Sequence, residues 1–195
     1  MVKKIVLIGL LLLGLTGCGQ SGIAAQIGNT KITQNQVQSS IDEILLERSK
    51  VDTTGLNLLT GEELNRNVLR FNLVSEVFLQ VGKEQGFKVN NGQIDEMKSN
   101  LISQIDGEQN LPNALINANL APSDFEKYAR TLVISDALTR AIAESQVGDP
   151  KEIVQQLIQD YITNAGIKIN PRYGTWDYQS GDLKSFDPAG SALAK

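Results

Sequence analysis

Cys18 is the only cysteine of the 195-residue chain, and histidine is absent. Without an imidazole, neither Ser-His-Asp nor Cys-His nucleophile systems can be assembled, and His-ligated metal sites are excluded. A single thiol also makes no internal disulfide. Carboxylate or lysine chemistry remains available on paper. The nearest things to paired carboxylates are Asp42/Glu43 and Glu62/Glu63. Adjacent residues on a helix do not face each other, and Glu63 sits at a capping spacing. These pairs read as solvated surface. No catalytic residue, metal site, cofactor or small-molecule substrate is therefore expected.

The position of Cys18 is more informative than its reactivity. It follows Leu15-Thr16-Gly17 at the end of an apolar run, Ile5 to Leu15, that begins directly after Lys3 and Lys4. This is the layout of an export signal, with an apolar run too short to cross a bilayer as a stable helix. The Leu-Thr-Gly-Cys segment resembles the lipobox of bacterial lipoproteins. In those proteins signal peptidase cuts before the cysteine, and the thiol carries a diacylglyceryl group. The resemblance implies that residues 1–17 are a lipoprotein signal peptide. It also implies that Cys18 is the lipidation site and anchors the chain to the outer leaflet of the plasma membrane. An uncleaved signal anchor, or an ordinary signal peptide with a coincidental cysteine, is the plainer alternative.

Loss of Lys3 and Lys4 from the 18 basic residues leaves sixteen against 22 acidic ones, a formal charge of −6. No Lys/Arg cluster remains, so a nucleic-acid partner is not expected. Membrane attachment would have to come from acyl chains. The remaining length suits one domain.

Along the chain, residues 18–22 read as a short tether. Ile23 to Ile27 and Thr30 to Ile32 read as strands around a Gly28-Asn29 turn. Five helix starts carry capping spacings: Thr33/Gln36, Thr60/Glu63, Asn90/Gln93, Ser123/Glu126 and Asp149/Glu152. The apolar spacing predicts helices over about 34–49, 61–85, 91–105, 124–145 and 150–164, with a shorter piece from Pro112 to Asn119. The second should be central, because Leu69, Leu73, Val77 and Leu79 widen its apolar stripe. Ile167-Lys168-Ile169-Asn170 is a strand candidate and the natural partner of the opening hairpin. The expectation is a mainly α, multi-helix domain over 23–178. A small β-sheet, built from the N-terminal hairpin and a C-terminal strand, should close it, with a flexible tail over 179–195.

Ala25-Gln26-Ile27-Gly28-Asn29-Thr30-Lys31-Ile32-Thr33 resembles the opening of SurA/PrsA-type extracytoplasmic foldases, "Val-Asn-Gly-x-x-Ile-Thr", with the turn order reversed to Gly-Asn. Gly86-Phe87-Lys88-Val89-Asn90-Asn91-Gly92-Gln93-Ile94 and Leu120-Ala121-Pro122-Ser123-Asp124-Phe125-Glu126-Lys127-Tyr128 are similar to two helix entries of the same family. The similarity spans roughly 24–170. In that family a parvulin-type prolyl isomerase domain usually separates the last two long helices. Here the junction is only Ser145-Gln146-Val147-Gly148-Asp149, and the histidines on which parvulin sites rely are missing. The resemblance implies a SurA N-terminal-domain-like chaperone module without the isomerase.

The function expected from this is that of a lipid-anchored holdase, binding unfolded or exported polypeptides through an apolar groove. Candidate client contacts are Leu56, Leu58 and Leu59, with Leu111, Leu115 and Ile116. For each of them, ordinary core packing is the alternative. Tyr173 and Trp176 could contact a client or fold back over the small sheet. The second function class is a non-enzymatic structural or adaptor lipoprotein of an envelope or secretion complex. An enzyme is the third, and no motif supports it.

Overall fold

The computed structural model describes residues 22–145 and 148–185. The expected signal peptide, Cys18, most of the tether and the chain beyond Ser185 lie outside the described residues.

Strands β1 (Ile23–Ile27) and β2 (Thr30–Thr33) form an antiparallel hairpin in which Gln26 faces Lys31 and Ile27 faces Thr30. Gly28 takes φ +53 at the first turn position, a conformation that costs glycine little and other residues more. The reversed Gly-Asn order therefore still makes the turn. β3 (Ile167–Ile169) pairs antiparallel with β1, Ala25 opposite Ile169 and Ile27 opposite Ile167. The sheet order is β2-β1-β3. A strand from each end of the domain thus closes the helical array, as expected.

Among the described residues there are six α-helices. The first is α1 (Gln34–Arg48), which opens with a complete capping box: Gln36 N–H donates to Thr33 Oγ1 and Thr33 N–H to Gln36 Oε1, at 3.2 and 2.8 Å. α3 (Asn91–Gln104) has the same reciprocal pair from Asn90 and Gln93, both at 3.0 Å. At α6 (Pro150–Ala165), Asp149 accepts from Lys151 N–H at 2.8 Å.

Two expected caps are not made. At α2 (Gly61–Glu84), Gly61 has φ +51, and the Thr60 carbonyl rather than its hydroxyl meets the Glu63 and Leu64 N–H groups. Before α5 (Phe125–Ser145), Pro122–Asp124 forms a 3-10 turn. Ser123 N–H there donates to Glu43 Oε2 at 3.0 Å, which also gives one member of an acidic pair a structural role. α4 (Leu111–Ala118) is the short helical piece, stopped by Asn119 at φ +53.

α2 is the central helix. Its Leu64, Val68, Leu69, Leu73, Val77 and Val81 are buried, and it packs against α1, α5, α6 and the sheet. Its close approach to α5 depends on Gly82, where an added Cβ would lie 2.7 Å from Ile134 Cγ2. α2 ends in a Schellman motif: Phe87 N–H donates to the Gly82 carbonyl and Gly86 N–H to that of Lys83.

The ordered chain runs further than residue 178. β4 (Thr175–Asp177) and β5 (Asp182–Lys184) form a second hairpin with Trp176 opposite Leu183. Leu183 is buried in the main core, so the expected tail over 179–195 is corrected at its start. Thr-Trp-Asp and Asp-Leu-Lys each offer one apolar side chain, too little alternation to register as strands.

Candidate functional site

Three clefts of similar size, about 440 to 500 Å³, open on the described surface. Size does not separate them; chemistry does. The cleft between α3 and α5 is lined by Glu96, Asp136 and Arg140. The one beside the first hairpin turn is lined by Glu84 and Asp160. The third, about 460 Å³, lies among α2, α3, α4 and α5, within the roughly 300–1,000 Å³ range of ligand clefts.

Its walls are mostly apolar, with Asn67, Gln104, Asn119 and Thr131 as uncharged polar lining. α2 contributes Phe71 and Val74, α3 Leu101 with Ile105 just past its end, α4 Leu111 and Leu115, and α5 Phe125 and Tyr128. These positions follow from helical periodicity, since residues three or four apart share a face. Arg70 is the one charged lining residue, and Asp182 of β5 holds it in an ion pair at 2.7 Å. The wall also includes Ser75, whose buried Oγ has no hydrogen-bond partner among the described residues. An apolar occupant would therefore displace water without stranding a charge.

Two polar groupings set the cleft's geometry. Asp124, buried at the entry of α5, accepts from Ser40 Oγ at 2.6 Å and from Lys127 Nζ at 2.9 Å. Lys127 also donates to Asn72 Oδ1 at 2.6 Å, tying α5 to α2. At the other end, Arg48 donates through Nη1 to the Leu59 carbonyl at 2.8 Å and through Nη2 to Asn119 Oδ1 at 2.6 Å. The same Asn119 oxygen accepts the Leu59 N–H at 3.1 Å. Burial pushes the Arg48 guanidinium below its ordinary value. It has no carboxylate partner among the described residues; it ends α1 beside the end of α4, where two helix dipoles present partial negative charge. Neither grouping places a base against a nucleophile. Both are positioning devices.

The candidate contacts divide accordingly. Leu111 and Leu115 line the cleft. Leu115 is largely buried and forms wall rather than rim, and Ile116, 2% exposed, belongs to the interior. Leu56 is exposed, Leu58 is half-buried, and Leu59 packs against the core; none of them lines the cleft, because Arg48 pins their loop to the end of α1. Tyr173 is corrected as a client contact: it is 5% exposed and sits in the core. Trp176 is half-buried against the same core, so the fold-back alternative accounts for the pair. Cys18 lies outside the described residues. Phe71, Val74, Leu101, Ile105 and Tyr128 were missed as cleft residues, since the signal that groups them is the packing of four helices, not a local pattern.

The sequence matches no protein-family model, and no curated protein matches it.

Proposed function

We propose that the chain is a lipid-anchored extracytoplasmic holdase of the SurA/PrsA type without an isomerase domain, and that the apolar cleft among α2, α3, α4 and α5 receives apolar segments of unfolded or exported polypeptides. The observation that carries this reading is the cleft's lining, which is mostly apolar with a single, ion-paired charge, while its two neighbours of similar size each carry two or more charged groups. An unfolded polypeptide supplies apolar side chains in many orders, so a holdase needs accessible apolar volume rather than a fixed set of polar contacts. The anchor on Cys18 would hold that volume beside the membrane, where exported chains emerge unfolded.

The test uses the full chain in phosphatidylcholine nanodiscs, added to a reduced, aggregating client protein. Suppression that rises with stoichiometry is expected. Leu101→Asp and Leu111→Asp should each lose most of it, while Leu46→Asp, an exposed position outside the cleft, should retain it. Absence of suppression at every stoichiometry would overturn the reading. Capture of one stoichiometric partner would favour the adaptor instead.

A further inference from the structure

No strand is hydrogen-bonded to the outer edge of β3 among the described residues, although β4 packs beside it. The register fixes which of its groups are free. Gly28 N–H donates to the Gly166 carbonyl and Asn170 N–H to that of Ala24, so the even-numbered positions of this strand bond to β1. Antiparallel ladders alternate, and the N–H and C=O groups of Ile167 and Ile169 therefore point away from β1. One of these four groups is partly occupied: Ile167 N–H donates to the Tyr178 hydroxyl at 3.3 Å. The other three accept or donate nothing among the described residues. Beside them opens a pocket of about 230 Å³, walled by Ile167, Ile169, Pro171, Trp176 and Tyr178.

We infer that this edge takes up an extended polypeptide as an added strand, bound through its main chain, with one side chain seated in the pocket beside Trp176. Exposed edges pair with any chain that can extend, because the ladder reads backbone and not sequence. That sequence tolerance is what a holdase requires, and the inference rests on the polypeptide-binding reading above. Lys168, exposed on the sheet face, keeps the edge soluble, and the Tyr178 hydroxyl blunts one of its donors. An incoming strand would displace that hydroxyl and gain the Ile167 N–H.

The experiment is a fluorescence-anisotropy titration of the full chain in phosphatidylcholine nanodiscs, with a labelled Thr-Val repeat peptide and the same peptide N-methylated at alternate residues. Ile169→Pro removes the outward N–H while leaving the β1 ladder intact, as edge prolines do. It should weaken binding about fivefold, the factor set by one hydrogen bond of ordinary net strength. Ile169→Val should bind like the parent chain. Tyr178→Phe frees the Ile167 donor and should tighten binding. The N-methylated peptide should bind poorly to every form, and this arm stands even where Ile169→Pro does not fold. Equal binding of both peptides by the parent chain overturns the proposal. So does self-association of the chain abolished by Ile169→Pro, which would assign the edge to a second copy. Loss of binding in Leu111→Asp, with Ile169→Pro and N-methylation neutral, sinks the edge while the holdase reading stands. If neither peptide binds at all, both fall.

Discussion

Ser40 Oγ lies 2.6 Å from Asp124 Oδ2 and joins the middle of α1 to the entry of α5 across 84 residues of sequence. Asp124 is buried, and its other oxygen accepts from Lys127, which in turn holds Asn72 of α2. Removing the carboxylate leaves a buried hydroxyl without its acceptor and a partly buried ammonium with Asn72 alone. Asp124→Ala is expected to lower stability by about 2 kcal/mol. Asp124→Asn, which keeps an acceptor for Ser40, should cost less. Chemical denaturation followed by circular dichroism measures both; a neutral Asp124→Ala would show that the network does not hold the cleft's frame.

Arg48 ties the 49–60 loop to the end of α4 through Leu59 and Asn119. A lysine places one ammonium where the guanidinium spans two acceptors. Arg48→Lys should therefore behave much like Arg48→Met, with a loss of about 1–3 kcal/mol. Amide exchange should quicken first at Leu59, whose N–H bonds to the same Asn119 oxygen. Wild-type protection at Leu59 in Arg48→Lys would contradict this assignment.

Gly82 lets α2 and α5 approach where any side chain would collide with Ile134. Gly82→Ala adds a helix-favouring methyl, yet the collision should dominate and cost about 1–3 kcal/mol. Ile134→Ala removes the colliding Cγ2. The double substitution should thus be less destabilised than the two single losses added together, and additivity in thermal melts would argue against a direct contact.

Asp177 braces the second hairpin through Lys184, Gln179 and Ser180. The Lys184 ammonium, then the Gln179 N–H and the Ser180 hydroxyl, hold its carboxyl far below the usual carboxylate range. A folded-state value depressed in this way adds stability that is fully present above the unfolded value of about 3.9 and is lost as pH falls below it. Trp176 fluorescence should report loosening of β4 and β5 on acidification through that window. Asp177→Asn should show the loosened signal already at neutral pH and remove this step from the titration. A step unchanged in Asp177→Asn would assign the transition to another group.

The helices and the closing sheet were legible because the signals for them are local. Thr33/Gln36 and Asn90/Gln93 are capping pairs read directly from spacing, and the broad stripe of α2 announces a helix covered on several sides. The second hairpin was not legible, since Trp176 and Leu183 find each other only by cross-strand pairing. The Thr60 cap failed through one backbone angle at Gly61. For the site, Leu111 and Leu115 were named among the candidate contacts, and both line the cleft. Leu101, Phe71 and Tyr128 look like ordinary stripe residues until four helices leave a gap between them. A groove is a property of packing, and no window of sequence contains it.

Clients are expected to enter the cleft and not the neighbouring loop, and site-specific photo-crosslinking in cells producing the full chain reads out which of the two they touch. A photoreactive residue replacing Leu111 should yield a spread of exported polypeptides, and one replacing Leu56 far fewer. A single dominant adduct at Leu111, or equal spreads at both positions, would contradict the account.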